Sequence, residues 1–429
     1  MTDEPRKGSL LVIFLTVFID LLGFGLVLPL LPVYAEHYLA DAEAAGMQLG
    51  LLMASFSAMQ FIFAPFWGKL SDRFGRRPII MVGLAGSVVF YTLFGLATTI
   101  TESPSNIMML LYISRIGAGI FGATISTAQA YIADTTTPEK RAKGMALIGM
   151  AFGAGFTFGP LLGMLAVTGA DDTPSAAPGY IAAGLSFVAL LLAFRKLPES
   201  LTETSESAGH KVFDFDGLRQ ALSIPSIGLI LISIFVCIFS FANFETTLSL
   251  LIKGNSVDPE NSPFSFSYTE ICGTFAFIGI TLSVVQGGIV RRVAGKCSDA
   301  SLAMTGAVLE IVGFFIMIMA ISQKSSGLLY LALGIVVTGF SFMQPSLNAM
   351  LSRRSDPARQ GTIMGVGQSV SSLARIIGSG IGIPLLTIQL NMPYYVATGL
   401  MILGVLLIGV ASKSGGDFIE SETPGSATE

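Results

Sequence analysis

Apolar stretches of about 20 residues recur along the whole chain and are separated by short polar segments. A helix of about 20 apolar residues crosses the ~30 Å hydrocarbon core of a bilayer and satisfies its own backbone hydrogen bonds. The pattern therefore predicts an all-α membrane protein with twelve transmembrane helices. The predicted spans are 9–32, 47–70, 78–99, 106–132, 142–167, 179–196, 226–252, 269–294, 299–320, 327–351, 360–386 and 392–412.

Two segments lack this apolar pattern and divide the chain into parts. Residues 197–222 are rich in Ser, Thr and charged side chains, and residues 413–429 are rich in Gly, Ser and acidic side chains. We predict an N-terminal six-helix half (1–196), a cytoplasmic linker (197–222), a C-terminal six-helix half (223–412) and a disordered cytoplasmic tail (413–429). The first apolar run has no early small-residue cleavage site, so we predict a membrane helix there rather than a removable signal peptide.

The composition agrees with a chain that is solvated mainly by lipid. Apolar residues make up 52% of the sequence and charged residues only 12%, and the mean hydropathy is +0.72, beyond the usual values for soluble domains. The net charge of −4 gives no basic footprint for a nucleic acid. Cys237, Cys272 and Cys297 have neither metal-ligand nor redox-motif spacing, so we predict no metal and no cofactor.

Basic residues are distributed asymmetrically about the predicted spans. With the amino terminus placed in the cytoplasm, 20 of the 24 Lys and Arg residues fall in cytoplasmic segments or at the cytoplasmic ends of spans, and two fall in outer loops. The remaining two, Arg115 and Arg375, fall inside spans. Because Lys and Arg concentrate in the cytoplasmic loops of membrane proteins, an even number of spans with both termini in the cytoplasm is predicted.

The two halves of the chain share a spacing of glycines. Gly68 and Gly75 flank the connection between the second and third spans, and Gly288 and Gly295 flank the connection between the eighth and ninth, 220 residues later. The chain is therefore predicted to contain two six-helix repeats. Two like halves suit a transporter that exposes a central site to each side of the membrane in turn.

The connection between the second and third spans concentrates glycine and charge in the sequence Gly68-Lys-Leu-Ser-Asp72-Arg73-Phe-Gly75-Arg76-Arg77. This segment resembles the loop signature of the major facilitator superfamily. Three other segments resemble motifs of tetracycline exporters and related twelve-helix drug antiporters. They are Asp20-Leu-Leu-Gly23-Phe-Gly25-Leu-Val-Leu-Pro29-Leu-Leu-Pro32, Arg115-Ile-Gly-Ala-Gly119 and Gly155-Phe-Thr-Phe-Gly159-Pro160-Leu-Leu-Gly163.

Two shorter segments, Phe244-Glu245-Thr-Thr-Leu and Gln286-Gly287-Gly288, are similar to the eukaryotic tetracycline-transporter-like proteins, which handle organic anions. Together these resemblances imply the two-half major facilitator fold and either proton-coupled drug export or organic-anion transport. Two features depart from the pattern. Met164 stands where the fifth-helix motif usually has a further glycine, and the third span lacks an acid, which argues against metal–tetracycline recognition.

The 68–77 loop is predicted to act as a latch between conformations. Asp72 would pair with basic groups and with backbone donors at a neighbouring helix end, with Asp134 as a further member. The alternative is that these charges only set topology. The fifth-span glycines either permit close packing or support a gating kink at Pro160. The predicted gating residues are Gly68, Asp72, Arg73, Gly75, Arg76, Arg77, Asp134, Gly155, Gly159, Pro160 and Gly163.

Ionisable residues inside the predicted spans are few. Because each costs at least ~2.5 kcal/mol at mid-bilayer, such residues usually face a cavity or a partner. The predicted proton-coupling residues are Asp20, Arg115, Glu245 and Glu310, with Asp20 as the favoured proton carrier. The predicted substrate-cavity residues are Phe24, Gln60, Gln129, Glu245, Gln286, Gln344, Asn348, Gln368 and Arg375. The alternatives are a structural Asp20–Arg115 pair and a static Glu–Arg pair with Arg375.

Other function classes are disfavoured by motifs that the sequence lacks. The phosphate-binding pattern Gly-x-x-x-x-Gly-Lys-Ser/Thr is absent, so ATP hydrolysis is not expected. His37 and His210 lie in loops on opposite sides, and the chain shows no nucleophile–base constellation. A multi-pass membrane enzyme is the competing class. Because the motifs that it would need are absent, we do not expect an enzyme.

The sequence predicts a secondary active transporter in the cell membrane. Proton-coupled efflux of small amphipathic compounds is the first interpretation, and an organic-anion transporter or uniporter of the same fold is the alternative. The predicted partners are the lipid bilayer, a small-molecule substrate and protons, with no nucleic acid, and the predicted oligomeric state is a monomer.

Overall fold

The chain folds as a bundle of helices in the computed structural model, which describes residues 7–39, 42–97, 99, 103–136, 138–166, 175–200, 225–253, 262–293, 296–354 and 360–414. Every regular element within these residues is a helix. The first half contains α1 (Lys7–Val27), α2 (Leu31–His37), α3 (Ala42–Phe74), α4 (Arg76–Ala97), α5 (Pro104–Gly122), α6 (Ile125–Asp134), α7 (Pro138–Ala166) and α8 (Ala177–Lys196). The second half contains α9 (Pro225–Lys253), α10 (Tyr268–Val284), a π-helical turn (Val285–Val290), α11 (Arg291–Val293), α12 (Asp299–Ser322), α13 (Ser326–Arg353), α14 (Gln360–Ile388) and α15 (Met392–Lys413).

Eleven segments of the described chain are helical, long and apolar enough to cross a membrane. The predicted fifth span is also helical, but its described apolar part, Met150–Ala166, is shorter than the other eleven. The predicted all-α class is thus confirmed, and the chain is a multi-pass integral membrane protein. Most of the predicted linker and nearly all of the predicted tail lie outside the described residues.

Three predicted spans are interrupted, each for a local reason. The first turns between α1 and α2 around Pro29, which has no N–H to continue the helical hydrogen bonds. The fourth breaks between α5 and α6, where Thr124 Oγ1 donates to the carbonyl of Phe121 at 2.9 Å. The eighth ends in the π-helical turn Val285–Val290, a rare geometry that frequently marks functional sites.

Helices α1 and α7 pack backbone against backbone through glycines. A Cβ atom on Gly25 would lie 2.5 Å from the carbonyl oxygen of Gly155, and a Cβ atom on Gly159 would lie 2.7 Å from the carbonyl carbon of Gly25. Small residues at helix contacts let backbones approach closely in membranes, where dispersion replaces the hydrophobic effect as the main attraction. These glycines therefore fix the position of α1, which carries Asp20 and Phe24.

The two halves meet along two helix pairs, α3 with α14 and α7 with α10. A Cβ atom on Gly50 of α3 would lie 2.8 Å from the carbonyl oxygen of Gly380 on α14. On the other pair, the hydroxyls of Thr157 and Ser283 form a hydrogen bond of 3.1 Å. These contacts run down two sides of the bundle and leave a space between the halves at its centre.

Candidate functional site

The space between the halves is a central cavity with about 590 Å³ of atom-free volume, counting the part that opens to solvent. Both halves supply its walls. The aromatic lining residues are Phe24, Phe56, Phe156 and Phe275, and the polar lining residues with the longest side chains are Gln60, Arg115, Glu245 and Arg375. A pocket with a mainly apolar wall and a few convergent polar groups has the usual make-up of a small-molecule site.

Arg115 on α5 is clamped between two aromatic rings at the wall of this cavity. Its guanidinium carbon lies 4.3 Å from the ring centroid of Phe56 and 5.7 Å from that of Phe24. The side chain is only 6% exposed, and its Nε has no hydrogen-bond partner within the described chain. The faces of aromatic rings attract cations, so this stacking holds the guanidinium in place while leaving donor capacity unused.

Glu245 on α9 and Arg375 on α14 line the same cavity. Arg375 and Arg115 both interact electrostatically with Glu245. Among the described residues, however, no ion pair of 4.0 Å or less joins Glu245 to either arginine. The cavity lining thus contains two cations and one carboxylate that form no closed salt bridge among the described residues.

Asp20 lies on α1 but outside the residues that line the cavity. Its Oδ1 accepts a hydrogen bond of 2.7 Å from Ser186 Oγ on α8, and Ser87 on α4 lies beside the same carboxylate. The structure therefore places Asp20 inside the first half rather than against Arg115, and no ion pair between the two is present among the described residues. Any proton held by Asp20 would act on helix contacts within that half.

Glu310 is fully buried in the second half, away from the central cavity. Both of its carboxyl oxygens have no hydrogen-bond partner among the described residues. A Cβ atom on Gly339 of α13 would lie 2.8 Å from Glu310 Cγ, so this glycine makes room for the acid. The described residues thus offer this carboxyl group no hydrogen bond, an arrangement that is costly for a buried polar group.

The other predicted cavity residues are distributed over several places. Gln344 and Asn348 line a second, smaller cavity of about 210 Å³ within the second half, together with Cys237 and Ser371. Gln286 lies in the π-helical turn and Gln368 is exposed on α14. Neither is among the lining residues of the two described cavities. The side chain of Gln129 lies outside the described residues.

A layer of buried side chains closes the bundle at the end opposite the 68–77 loop. The rings of Tyr34 on α2 and Tyr268 on α10 meet across the two halves at 5.4 Å. Lys253 lies with Nζ 5.1 Å from the Tyr268 ring centroid. Partial burial and the positive charge of Lys253 lower the pKa of His37 at the end of α2, which disfavours a second positive charge beside Lys253.

At the opposite end of the bundle, Arg76 is the centre of a polar cluster. Its Nε donates to Asp134 Oδ2 at 3.0 Å, and its Nη1 donates to Ser71 Oγ at 2.7 Å. Gly75, between α3 and α4, has φ +101°, a left-handed conformation that favours glycine. Arg76 and Asp134, both among the predicted gating residues, thus form an ion pair, whereas the side chain of Asp72, the predicted centre of the latch, lies outside the described residues.

Glu199, which the sequence placed in the solvated linker, is a further member of this cluster. Its carboxylate oxygens accept hydrogen bonds from the backbone N–H of Arg76 at 2.8 Å and of Arg77 at 3.1 Å. It thereby caps the amino terminus of α4, where N–H groups lack helical partners and a negative charge is favourable. Ser200 Oγ donates to Asp134 Oδ2 at 3.2 Å, which ties the start of the linker to α6.

We expect Glu199→Ala to lower the free energy of unfolding by about 1 kcal/mol, the usual size of a helix cap. The variant removes both acceptors from the start of α4. Glu199→Gln keeps one neutral acceptor, so its free energy of unfolding should fall by less. Thermal unfolding in detergent measures both. Ser200→Ala, which deletes a single 3.2 Å hydrogen bond, is the matched control. Its free energy of unfolding should change least of the three variants. A larger loss in Ser200→Ala than in Glu199→Ala would contradict the capping role.

The comparisons with known proteins agree with this architecture. The model of the Major Facilitator Superfamily matches residues 13–379. The tetracycline resistance protein, class D, of Salmonella ordonez is 28% identical over 373 residues, covering 87% of this chain and 88% of that protein. Major facilitator superfamily domain-containing protein 10 of Mus musculus is 30% identical over 430 residues, covering 87% of each. The crystal structure of the human organic anion transporter MFSD10 (TETRAN) is similar with a TM-score of 0.71 at 25% identity, covering 95% of this chain and 100% of that one.

Proposed function

The chain belongs to the major facilitator superfamily, and on that premise we propose that it moves small amphipathic organic compounds across the membrane by alternating access. It is a secondary transporter. Its two halves meet along the α3–α14 and α7–α10 pairs with the cavity between them. Rocking of one half against the other about that cavity would expose the site to each side in turn.

The observation that carries the proposal is the mixed make-up of the central cavity. Its phenylalanine side chains offer apolar surface to a ring or alkyl body. Arg115 and Arg375 outnumber Glu245, so the cavity has an excess of positive charge. An organic anion with an apolar body therefore fits best. The human relative named as an organic anion transporter supports this substrate class.

Efflux of amphipathic drugs is the second candidate function, and Asp20 favours it. A tetracycline resistance protein is among the relatives, and the resemblance to that group includes the first-helix segment that begins at Asp20. We propose Asp20 as a proton carrier for such an exchange, with Arg115 tuning it through the field and Glu310 as a second buried proton site. Proton binding at Asp20 would change its contact with Ser186 and hence the packing of α1 on α8.

We further propose twelve spans with both termini in the cytoplasm. Helix α7 has 29 residues, more than the ~20 that a membrane crossing needs, and supplies the remaining span. The bias of basic residues places the 68–77 loop, the linker 197–222 and the tail 413–429 on the cytoplasmic side. The two halves, 1–196 and 223–412, then have the same orientation, as parallel repeats require.

The 68–77 loop and the fifth-span glycines are the proposed gating elements. The bonds of Arg76 to Asp134 and Ser71 order the cytoplasmic end of the first half. Asp72 and Arg73 follow Ser71 at the end of α3 and are proposed to contact the second half when that end closes. The alternative to such a latch is that the charges of the 68–77 loop only set the orientation of the chain in the membrane.

The test uses purified protein in liposomes with an imposed pH gradient of either sign. The probes share one ring and differ in charge: 1-naphthalenesulfonate, 1-naphthylmethylammonium and the zwitterion 1-naphthylalanine. We expect gradient-dependent flux, largest for the sulfonate, and loss of that dependence in Asp20→Asn, because the amide does not titrate. Asp299→Asn, whose carboxylate pairs with Arg353 and is not part of the cavity lining, is the matched control and should behave as wild type.

Two outcomes contradict different parts of the proposal. Flux of every probe equal to that of empty liposomes would overturn the proposed transport function. Flux that ignores the gradient, and is equal in wild type and Asp20→Asn, would overturn proton coupling through Asp20 while leaving transport intact.

A further inference from the structure

The break between α5 and α6 changes the hydrogen bonding of one backbone carbonyl. In a continuous α-helix the N–H of Thr124 would donate to the carbonyl of Ile120, four residues earlier. Here that N–H donates instead to the carbonyl of Phe121 at 3.3 Å, and the Thr124 hydroxyl donates to the same oxygen at 2.9 Å. The break therefore makes the carbonyl of Ile120 available to a different donor.

That donor is Trp67 on α3, the single tryptophan of the chain. Its Nε1 donates to the carbonyl oxygen of Ile120 at 2.7 Å, and its side chain is only 7% exposed. Its ring packs against those of Phe66 and Phe121, with centroids 5.3 Å and 5.9 Å away. An indole has one donor and no acceptor, so Trp67 commits its whole hydrogen-bonding capacity to the break.

Two glycines of α4 make room for the side chains at the break. A Cβ atom on Gly83 would overlap the hydroxyl of Thr124, and a Cβ atom on Gly86 would overlap the ring of Phe121. Thr124 and Phe121 are therefore seated against the backbone of α4. The broken form is thus a packed arrangement of three helices rather than a frayed helix end.

A small rotation separates this broken form from a continuous helix. The φ and ψ angles are −64° and −11° at Ala123, and −68° and −4° at Thr124. Because helical ψ is about −42°, changes of roughly 30° and 40° in these two ψ angles would restore the helix. No forbidden conformation lies between the two forms. The restored helix would return the carbonyl of Ile120 to the N–H of Thr124.

Both forms offer partners to the polar groups at the break. In the broken form Trp67 bonds to Ile120, and the N–H of Thr124 bonds to Phe121. In the continuous form Thr124 would bond to Ile120. Trp67 directly precedes the 68–77 loop, so its N–H would then bond to water or lipid headgroups at the membrane surface, where tryptophan concentrates.

The break lies between two parts of the first half that make different contacts. Arg115, five residues before Ile120, stacks on Phe56 at the cavity wall. Asp134, at the end of α6, pairs with Arg76 at 3.0 Å. Helix α6 has 10 residues and is therefore about 15 Å long. A change of direction at its start would move Asp134 relative to Arg76.

We propose that the carbonyl of Ile120 is a two-position switch in the first half. When it accepts from Trp67, α5 and α6 are separate and Asp134 pairs with Arg76. When it accepts from Thr124, α5 and α6 form one helix and that ion pair is broken. Because coupling between two contacts is reciprocal, loss of the ion pair also favours release of Trp67. The inference goes beyond the proposed transport function, and its test needs no substrate.

The test follows the indole N–H of Trp67 by NMR in the full chain, with isotope-labelled tryptophan, in nanodiscs. The rate at which this N–H exchanges with deuterium reports how often its hydrogen bond opens. Thr124→Ala removes the hydroxyl that bonds to Phe121 and places a stronger helix former at the break. We expect roughly 2- to 12-fold faster indole exchange, the factor that loss of one hydrogen bond produces. Thr124→Ser keeps the hydroxyl and should exchange as wild type does.

Trp67→Phe tests the competition from the other side. It keeps a ring but removes the donor, so the N–H of Thr124 should bond to Ile120 more often and exchange more slowly. Hydrogen-exchange mass spectrometry of a peptide that spans the break measures this rate. A tryptophan that only supports packing predicts the opposite, faster exchange. Faster or unchanged exchange in Trp67→Phe would overturn the switch, as would an indole rate that is equal in wild type and Thr124→Ala.

Asp134→Ala tests the coupling to the polar cluster. It removes the acceptor of Arg76, and we expect faster indole exchange because α6 is released. The matched control is Asp299→Ala, which breaks a similar pair with Arg353 at 3.1 Å in the second half and should leave the indole rate unchanged. An indole rate that Asp134→Ala leaves unchanged, or that both variants raise equally, would overturn the coupling. Because no substrate is involved, these failures would not bear on the proposed transport function.

Discussion

Arg115→Gln is expected to weaken binding of 1-naphthalenesulfonate roughly 10- to 150-fold. A hydrogen bond that involves a charged group contributes about 1.5–3 kcal/mol, and about 1.4 kcal/mol corresponds to a tenfold change in affinity. Arg115 is held for such a bond, because Phe56 and Phe24 stack on its guanidinium while Nε stays unpartnered among the described residues. Glutamine removes the charge and much of the planar donor set. Calorimetric titration in nanodiscs measures the loss.

A neutral ligand with the same ring, 1-naphthalenemethanol, distinguishes loss of the charged contact with the sulfonate from a general change in the packing of the cavity. Its affinity should change less than threefold in Arg115→Gln, since it makes no charged contact. The affinity of Arg115→Lys for the sulfonate should lie between those of wild type and Arg115→Gln. Lysine keeps the charge and can lie over an aromatic ring, but it lacks the guanidinium fork. Equal losses for the sulfonate and the alcohol would show that Arg115 only supports the packing of Phe24 and Phe56.

The membrane helices were predictable because lipid imposes a simple rule on sequence. A spanning segment must be apolar and must bond its own backbone, so the runs that begin near Leu10 and Met47 are visible without any tertiary information. The break at Pro29 follows from proline chemistry, although the apolar run continues across it. The break at Thr124 is less visible, because threonine also occurs within intact helices.

The contents of the cavity were predictable in part, because the cost of charge in lipid draws attention to every buried ionisable residue. Arg115, Glu245 and Arg375 are found together on one cavity. Which way Asp20 faces could not be read from α1 alone, since its partner Ser186 lies 166 residues away and depends on how α8 packs. Glu310 is likewise placed by the contact of α12 with Gly339.

Glu199 was missed because its role depends on a helix end distant in sequence. Pro198 and Glu199 follow the sixth apolar run, and their surroundings suggested a solvated linker. The capping contact forms because α8 ends beside the start of α4, at the backbone of Arg76 and Arg77. A useful signal would have been an acidic residue directly after a span, on the side predicted to hold a strongly basic loop.

Gly159→Ala is expected to lower the free energy of unfolding by about 1–3 kcal/mol, the usual cost of inserting an extra methyl group into a packed core. The added Cβ would lie 2.7 Å from the carbonyl carbon of Gly25 and 2.8 Å from the carbonyl oxygen of Leu22 and the amide nitrogen of Leu26. These are backbone atoms of α1, so relief requires the whole helix to move away from α7. Thermal unfolding and monodispersity in detergent measure the effect.

Gly153→Ala on the same helix is the matched control. Its added Cβ would come no closer than 3.4 Å, to the hydroxyl of Ser283, and alanine favours a helix over glycine by about 1 kcal/mol. This variant should therefore be as stable as wild type or more stable. Equal free energies of unfolding for the two variants would contradict close packing at Gly159. A stable Gly159→Ala protein that binds the sulfonate but no longer carries it across the membrane would favour the gating kink at Pro160 instead, because only a conformational step would then have been lost.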